Sequence, residues 1–191
     1  RVIGTAAGDY ENLEAEHHEL LEKGPGNGHP LAVPLIIPNM SSANVAIDLG
    51  ITGPNLGIVT ACSSGAHAIA MAGMILQSNA ADVILAGGAE AAISPLTVNA
   101  YGCMGVLTTR NDDPQHASRP FDADRDGFLM GEGAAVLILE REEHAKKRGA
   151  AIMAYLAGAG MTADAYSIAI PEPEGASAAA ASCPGSEGQG R

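Results

Sequence analysis

A single cysteine, Cys62, stands in the stretch "VTACSSGAHAIAMAG", residues 59–73, where an apolar run ends and an Ala-rich helical pattern begins. A strand passing directly into a helix places that thiol near the helix N-terminus. The unpaired backbone N–H groups and the dipole there favour an anion, and the thiolate is the nucleophilic form. Ala61, Ser63, Ser64 and Gly65 are small enough for a tight turn and for close approach of a substrate. The same N–H groups suit the oxyanion formed when a thioester carbonyl is attacked. On these residues alone two readings stay open, a nucleophile or a buried structural cysteine.

Other stretches with chemical residues read more simply. Asp122, Asp124, Asp126 and Gly127 match the opening of a calcium-binding loop, and Leu129 its apolar eighth position. The twelfth position, however, is Gly133, Glu132 comes one residue early, and strand-like "AAVLILE" follows. An Asp/Arg-laced loop feeding a strand is therefore the reading. "LAGGAEAA" has neither a Walker lysine nor a full dinucleotide fingerprint and reads as a strand-end turn. His17 and His18 are adjacent on an acidic helix, where neighbours do not share a face, so a solvated surface is expected rather than a metal site. His67, five residues after Cys62, is expected to pack on the helix and point away from the thiol.

The elements that must position Cys62 follow an α/β pattern. "VIGTAAGD" reads as a strand entering a loop, and "YENLEAEHHELLEKG" as a polar helix closed by Gly24. A Pro/Gly-rich loop is expected to about Pro38, then a helix over "PNMSSANVAIDLG". "LGIVTA" and "DVILAGGAE" are short apolar runs bounded by glycine, as buried strands are, with a buried helix between them over 64–78. "AAVLILERE" and "AIMAYLAGAG" are further strand candidates flanking "REEHAKKRG", a helix opening on acids and closing on bases. Residues 176–191 are mostly Ala, Ser and Gly without periodicity and read as a low-complexity, disordered tail.

The whole sequence, 191 residues, has room for one sizeable domain, and its N-terminus reads as starting mid-domain. No apolar run approaches a membrane-spanning length. The net charge of −12 would repel a phosphate backbone, which excludes nucleic acid as an expected partner. Cys62, Cys103 and Cys183 are far apart and form no CxxC pair, which suits a reducing compartment and neither a disulfide framework nor a zinc knuckle.

Taken together, "VTACSSGAHAI", "ADVILAGGAEAAISPL", "LTTRNDDPQHASRPFDADRDGFLMGEGAAVLILEREEHAKKRGA" and "AGMTADAY" resemble the β-ketoacyl-[acyl-carrier-protein] synthases, the elongating condensing enzymes of fatty-acid synthesis. Their order and spacing follow the family from near residue 1 to about residue 175, so residues 1–175 are expected to form part of its N-terminal domain. The resemblance implies an α/β, thiolase-like fold, layered α-β-α around a mixed, mainly parallel sheet, here an incomplete portion. It implies a homodimer, acyl- and malonyl-loaded acyl carrier protein as partners, no cofactor and no metal. The compartment would be a bacterial cytoplasm or a plastid stroma. Cys62 would take the acyl chain as a thioester, beside Ala61; malonyl-carrier protein would then lose CO2 and its carbanion attack that thioester. The helix after "AEAAIS", carrying Thr97 and Tyr101 where long-chain members tend to have Gly and Phe, would wall the acyl channel. The family's two histidines belong to AHGT-like and GH-like motifs that this sequence does not contain, and Ser167 stands where His often follows "DAY". Acylation without condensation is the expectation for this chain alone. A polyketide-type condensing domain or a thiolase shares fold and nucleophile; a truncated partner that dimerises or binds carrier protein without catalysis is the non-enzymatic alternative.

Overall fold

The computed structural model describes residues 1–182. Its centre is a four-stranded sheet in the order β2-β1-β3-β4. The strands are β1 (Val2–Gly4), β2 (Leu56–Ile58), β3 (Val83–Glu90) and β4 (Gly133–Glu140). β1 runs parallel to both β2 and β3, with Val2 opposite Leu56 on one side and Ala86 on the other. β4 is antiparallel to β3 along its full length, from Val83 opposite Glu140 to Glu90 opposite Gly133. The sheet is therefore mixed and mainly parallel, as expected. Among the described residues β4 has no partner on its outer edge.

Among the described residues seven α-helices accompany the strands: α1 (Tyr10–Lys23), α2 (Ala32–Ile36), α3 (Met40–Leu49), α4 (Ser64–Gln77), α5 (Pro95–Cys103), α6 (Glu142–Lys147) and α7 (Ala176–Ser182). Their ends obey local chemistry. Asp9 caps α1 by accepting from the Asn12 N–H at 2.9 Å. α3 stops at Gly50 in the left-handed conformation, φ 61°. Ser94 and Thr97 form a capping box around Pro95 at the start of α5. α6 opens on Glu142 and Glu143 and closes on His144, Lys146 and Lys147.

The core is the contact of α4 with the sheet. Ala68, Ala72 and Leu76 of α4 pack on Val2, Ile84 and Ala86, with Ile58, Ile69, Met71, Ile75 and Leu139 around them. Small alanines on the buried side let the helix lie close to the strands, so the residues at its N-terminus inherit a fixed position.

Three expectations are corrected. The loop expected up to Pro38 contains α2, because Pro34 falls in a helix's first turn, where its missing N–H has no intrahelical role. Residues 151–160, expected as a strand, form none. They line, with Val136–Glu140, a cleft of about 960 Å3 beside β4, and no strand pairing joins them to it. Within the stretch read as disordered, Ala176–Ser182 is helical: alanine is the best helix former, and Glu172 accepts from the Ala176 N–H at 3.0 Å. The remainder of that stretch, with Cys183, lies outside the described residues.

Candidate functional site

Glycines from three distant segments seat the start of α4 on the sheet. A Cβ on Gly4 would overlap the backbone carbonyl of Ser64 and lie 2.7 Å from the Gly65 nitrogen. A Cβ on Gly88 would lie 3.3 Å from the Gly65 Cα and 3.4 Å from the Gly4 carbonyl oxygen. Strand ends β1 and β3 thus touch the helix backbone directly, which only glycine permits.

The turn that carries the cysteine is set on this platform. Ala61 adopts φ 52°, a left-handed backbone unusual for a residue with a side chain. The chain then reverses through the Ser63 N–H to the Thr60 carbonyl, 3.3 Å, and the Ser64 N–H to the Ala61 carbonyl, 3.0 Å. The Ser63 hydroxyl donates to the Thr60 carbonyl at 2.7 Å. The buried Ser64 hydroxyl donates to the Ala61 carbonyl at 2.6 Å and accepts from the Thr60 N–H at 2.8 Å. Cys62 projects from the middle of this turn and is exposed, so the buried structural reading of the thiol does not hold. The N–H groups of Ser63 and Ser64 are engaged within the turn, whereas none of these bonds uses the Cys62 N–H.

His67 is half-buried on α4, and its Nδ1 lies 2.8 Å from the Thr60 hydroxyl oxygen. The ring thus turns back onto the residue two before Cys62, which corrects the expectation that it points away from the thiol. Sequence spacing did not suggest that, because a ring one helical turn in reaches back over the turn rather than along the helix.

Of the other site residues, Ala61 adjoins the thiol. Thr97 is only 7 % exposed, and its hydroxyl is held in the α5 capping box, donating to the Ala92 carbonyl at 2.5 Å and accepting from the Ser94 N–H at 3.0 Å. Tyr101 stacks edge-on against Phe128 with ring centres 5.3 Å apart and keeps an open side. Among the described residues, no hydrogen bond or aromatic contact links Thr97 or Tyr101 to the Cys62 turn. The acidic loop also has its own structural employment. Asp126 accepts from the Thr108 hydroxyl at 2.7 Å and from the Thr109 N–H at 2.9 Å, and these bonds, with Arg110 nearby, pull its carboxyl down to about 2. No group of three or more metal-ligating side chains is brought together among the described residues.

Two features of the site gave no signal in the sequence. Glu90, at the end of β3, accepts from the Thr5 hydroxyl at 2.9 Å and the Ala6 N–H at 2.5 Å, tying the loop after β1 to the strand beside it. Glu14 of α1 receives the Leu96 N–H at 3.0 Å and the Ser94 hydroxyl, placing a carboxylate on the N-terminus of α5. A second cleft, of about 670 Å3, opens where β1 and β3 end and is lined by Thr5, Asp9, Met40, Asn44, Glu90 and Glu132 among others. Neither cleft includes Cys62. The candidate site is therefore taken at the exposed thiol and not at either cleft.

Residues 1–145 match the family profile described as Beta-ketoacyl synthase, N-terminal domain. The chain belongs to this family. Among curated relatives, it is 46 % identical over 179 residues to 3-oxoacyl-[acyl-carrier-protein] synthase 2 of Vibrio cholerae, covering 94 % of this chain and 43 % of that one. Among solved structures, it superposes on a beta-ketoacyl synthase from Burkholderia phymatum with a TM-score of 0.78 at 35 % identity, over 86 % of this chain and 41 % of the other. A type II polyketide synthase acyl-carrier protein in complex with its ketosynthase, bound to the hexaketide, gives a TM-score of 0.75 at 32 % identity, over 87 % and 43 %. The β-ketoacyl synthase fold here is thiolase-like and an incomplete portion of it, for the chain spans less than half the length of these relatives. No described helix is long and apolar enough to cross a membrane.

Proposed function

We propose that this chain is the N-terminal-half portion of an elongating 3-oxoacyl-[acyl-carrier-protein] synthase of fatty-acid biosynthesis, with Cys62 as its nucleophile. The observation that carries this reading is the exposed thiol on a left-handed turn directly before α4. The identity to curated synthases supports the substrate class. The Cys62 thiolate attacks the carbonyl of an acyl thioester on the carrier protein. The carbonyl oxygen takes up negative charge, which the Cys62 N–H and the start of α4 face. The tetrahedral adduct collapses, the carrier's thiolate leaves and takes a proton, and the acyl group stays on Cys62. In the second stage, malonyl-carrier protein loses CO2 and the resulting carbanion attacks the Cys62 thioester, releasing the thiolate. Helix α5, with Thr97 and Tyr101, walls the acyl channel. The complete enzyme works as a homodimer in a bacterial cytoplasm or plastid stroma.

Intact-mass spectrometry after incubation with acyl-carrier protein tests the first stage. The native chain is expected to gain one acyl mass and Cys62→Ala none. An adduct on both, or on neither, overturns the assignment. With malonyl-carrier protein added, no condensation product is expected, since the family's two histidine motifs are not in this sequence. A polyketide-type ketosynthase is the second reading, favoured by the similar backbone of the hexaketide-bound ketosynthase. Acceptance of a poly-β-keto thioester in place of a saturated acyl chain distinguishes it.

A further inference from the structure

We propose that Ser64 is a positioning residue for the Cys62 thiol, its buried hydroxyl holding the left-handed turn that aims the side chain outward. The proposal rests on the reading of Cys62 as the nucleophile. Ser64 is 3 % exposed, and its hydroxyl bonds to both sides of the strained residue. It accepts from the N–H of Thr60, before Ala61, and donates to the carbonyl of Ala61 itself. A left-handed alanine persists only where its surroundings over-determine it. The other braces, from the Ser63 hydroxyl and the His67 ring to Thr60, are bonds open to solvent, and water can replace them. Water cannot readily replace the Ser64 hydroxyl, because Ser64 is buried. Its loss leaves the Thr60 N–H and the Ala61 carbonyl without that partner. The turn then relaxes toward the right-handed region, and Cys62 rotates with it.

Cys103, also exposed and on the same chain, is an internal reference. The experiment is competitive alkylation by iodoacetamide, with the rate at Cys62 divided by that at Cys103 from peptide mapping. The native chain is expected to alkylate faster at Cys62. Ser64→Ala should lower the ratio by about three- to tenfold, the range one lost buried hydrogen bond produces, and Ser64→Thr, which keeps the hydroxyl, should restore it. A ratio unchanged in Ser64→Ala overturns the proposal, and so does a native ratio of one. A residue that only stabilised the fold would slow or expose both thiols together. If Ser64→Ala does not fold, the comparison is repeated in an Ala61→Gly background; glycine takes left- and right-handed backbone about equally, so losing the hydroxyl should still lower the ratio, and an unchanged ratio still overturns the proposal. Alkylation needs no carrier protein. A Ser64-dependent ratio without acyl transfer therefore leaves positioning standing and sinks the synthase reading, and acyl transfer with an unchanged ratio does the reverse.

Discussion

At the scale of single residues, two carboxylates carry a pH dependence that has nothing to do with the thiol. Glu140, at the end of β4, has a side chain only 9 % exposed and receives the Arg148 guanidinium at 2.8 and 2.7 Å and the His144 ring. The Arg148 bonds first, and then His144, lower its carboxyl from the ordinary 4.5 to about 2. Asp126 is lowered from 3.8 to about 2 by Thr108 and Thr109. A carboxylate more acidic in the folded chain contributes stability that is fully present above its unfolded value. That contribution is lost as pH falls from there through the folded value. Thermal melting between about pH 5 and 2 should therefore show a steep acid-side loss for the native chain and a shallower one for Glu140→Gln. Equal slopes would mean the cluster is electrostatically idle. Neither carboxylate was readable in sequence as a partner of these groups. The place of Cys62 directly before α4 was, because strand, turn and helix are written in consecutive residues, whereas the Ser64 hydroxyl looked only like one more small side chain.

Among the elements, the meeting of β1, β3 and α4 decides where the Cys62 thiol sits. Gly88→Ala would press a methyl group to 3.3 Å from the Gly65 Cα, a crowding that costs about 1–3 kcal/mol when a packed core must shift. Gly4→Ala meets the Ser64 backbone more closely still and should destabilise more. Urea unfolding is expected to rank native, Gly88→Ala and Gly4→Ala in falling order. An unchanged midpoint for Gly4→Ala would show that α4 is not seated as described. The pattern of buried runs and glycines made β1, β3, α3, α4 and α6 legible from the residues alone, because each is defined by its own segment. Residues 151–160 were misread for the opposite reason. Their apolar pattern is strand-like, but a strand also needs a neighbour within hydrogen-bonding distance, and sequence periodicity does not report one.

For the whole molecule, the charge of −12 sets a sign. If the carrier protein proposed as its partner is also acidic, the two repel at low ionic strength. The acylation rate of this chain by acyl-carrier protein should therefore rise with added salt, the reverse of electrostatic steering. A fall on moving from low to physiological salt would reveal a local basic docking face that outweighs the net charge. The connectivity of the sheet has a different consequence. Thr5 is tied to Glu90, 85 positions later, and β1 has both of its strand partners far downstream. Closing such long loops costs entropy before any contact repays it, so these pairings form slowly. During synthesis β1 is made before either partner and must wait first for β2 and then for β3. The glycine platform beneath Cys62 is drawn from both strands, so the thiol acquires its setting only after that late meeting. A nascent chain arrested before β3 would carry the sequence of the proposed nucleophile without the platform that seats it.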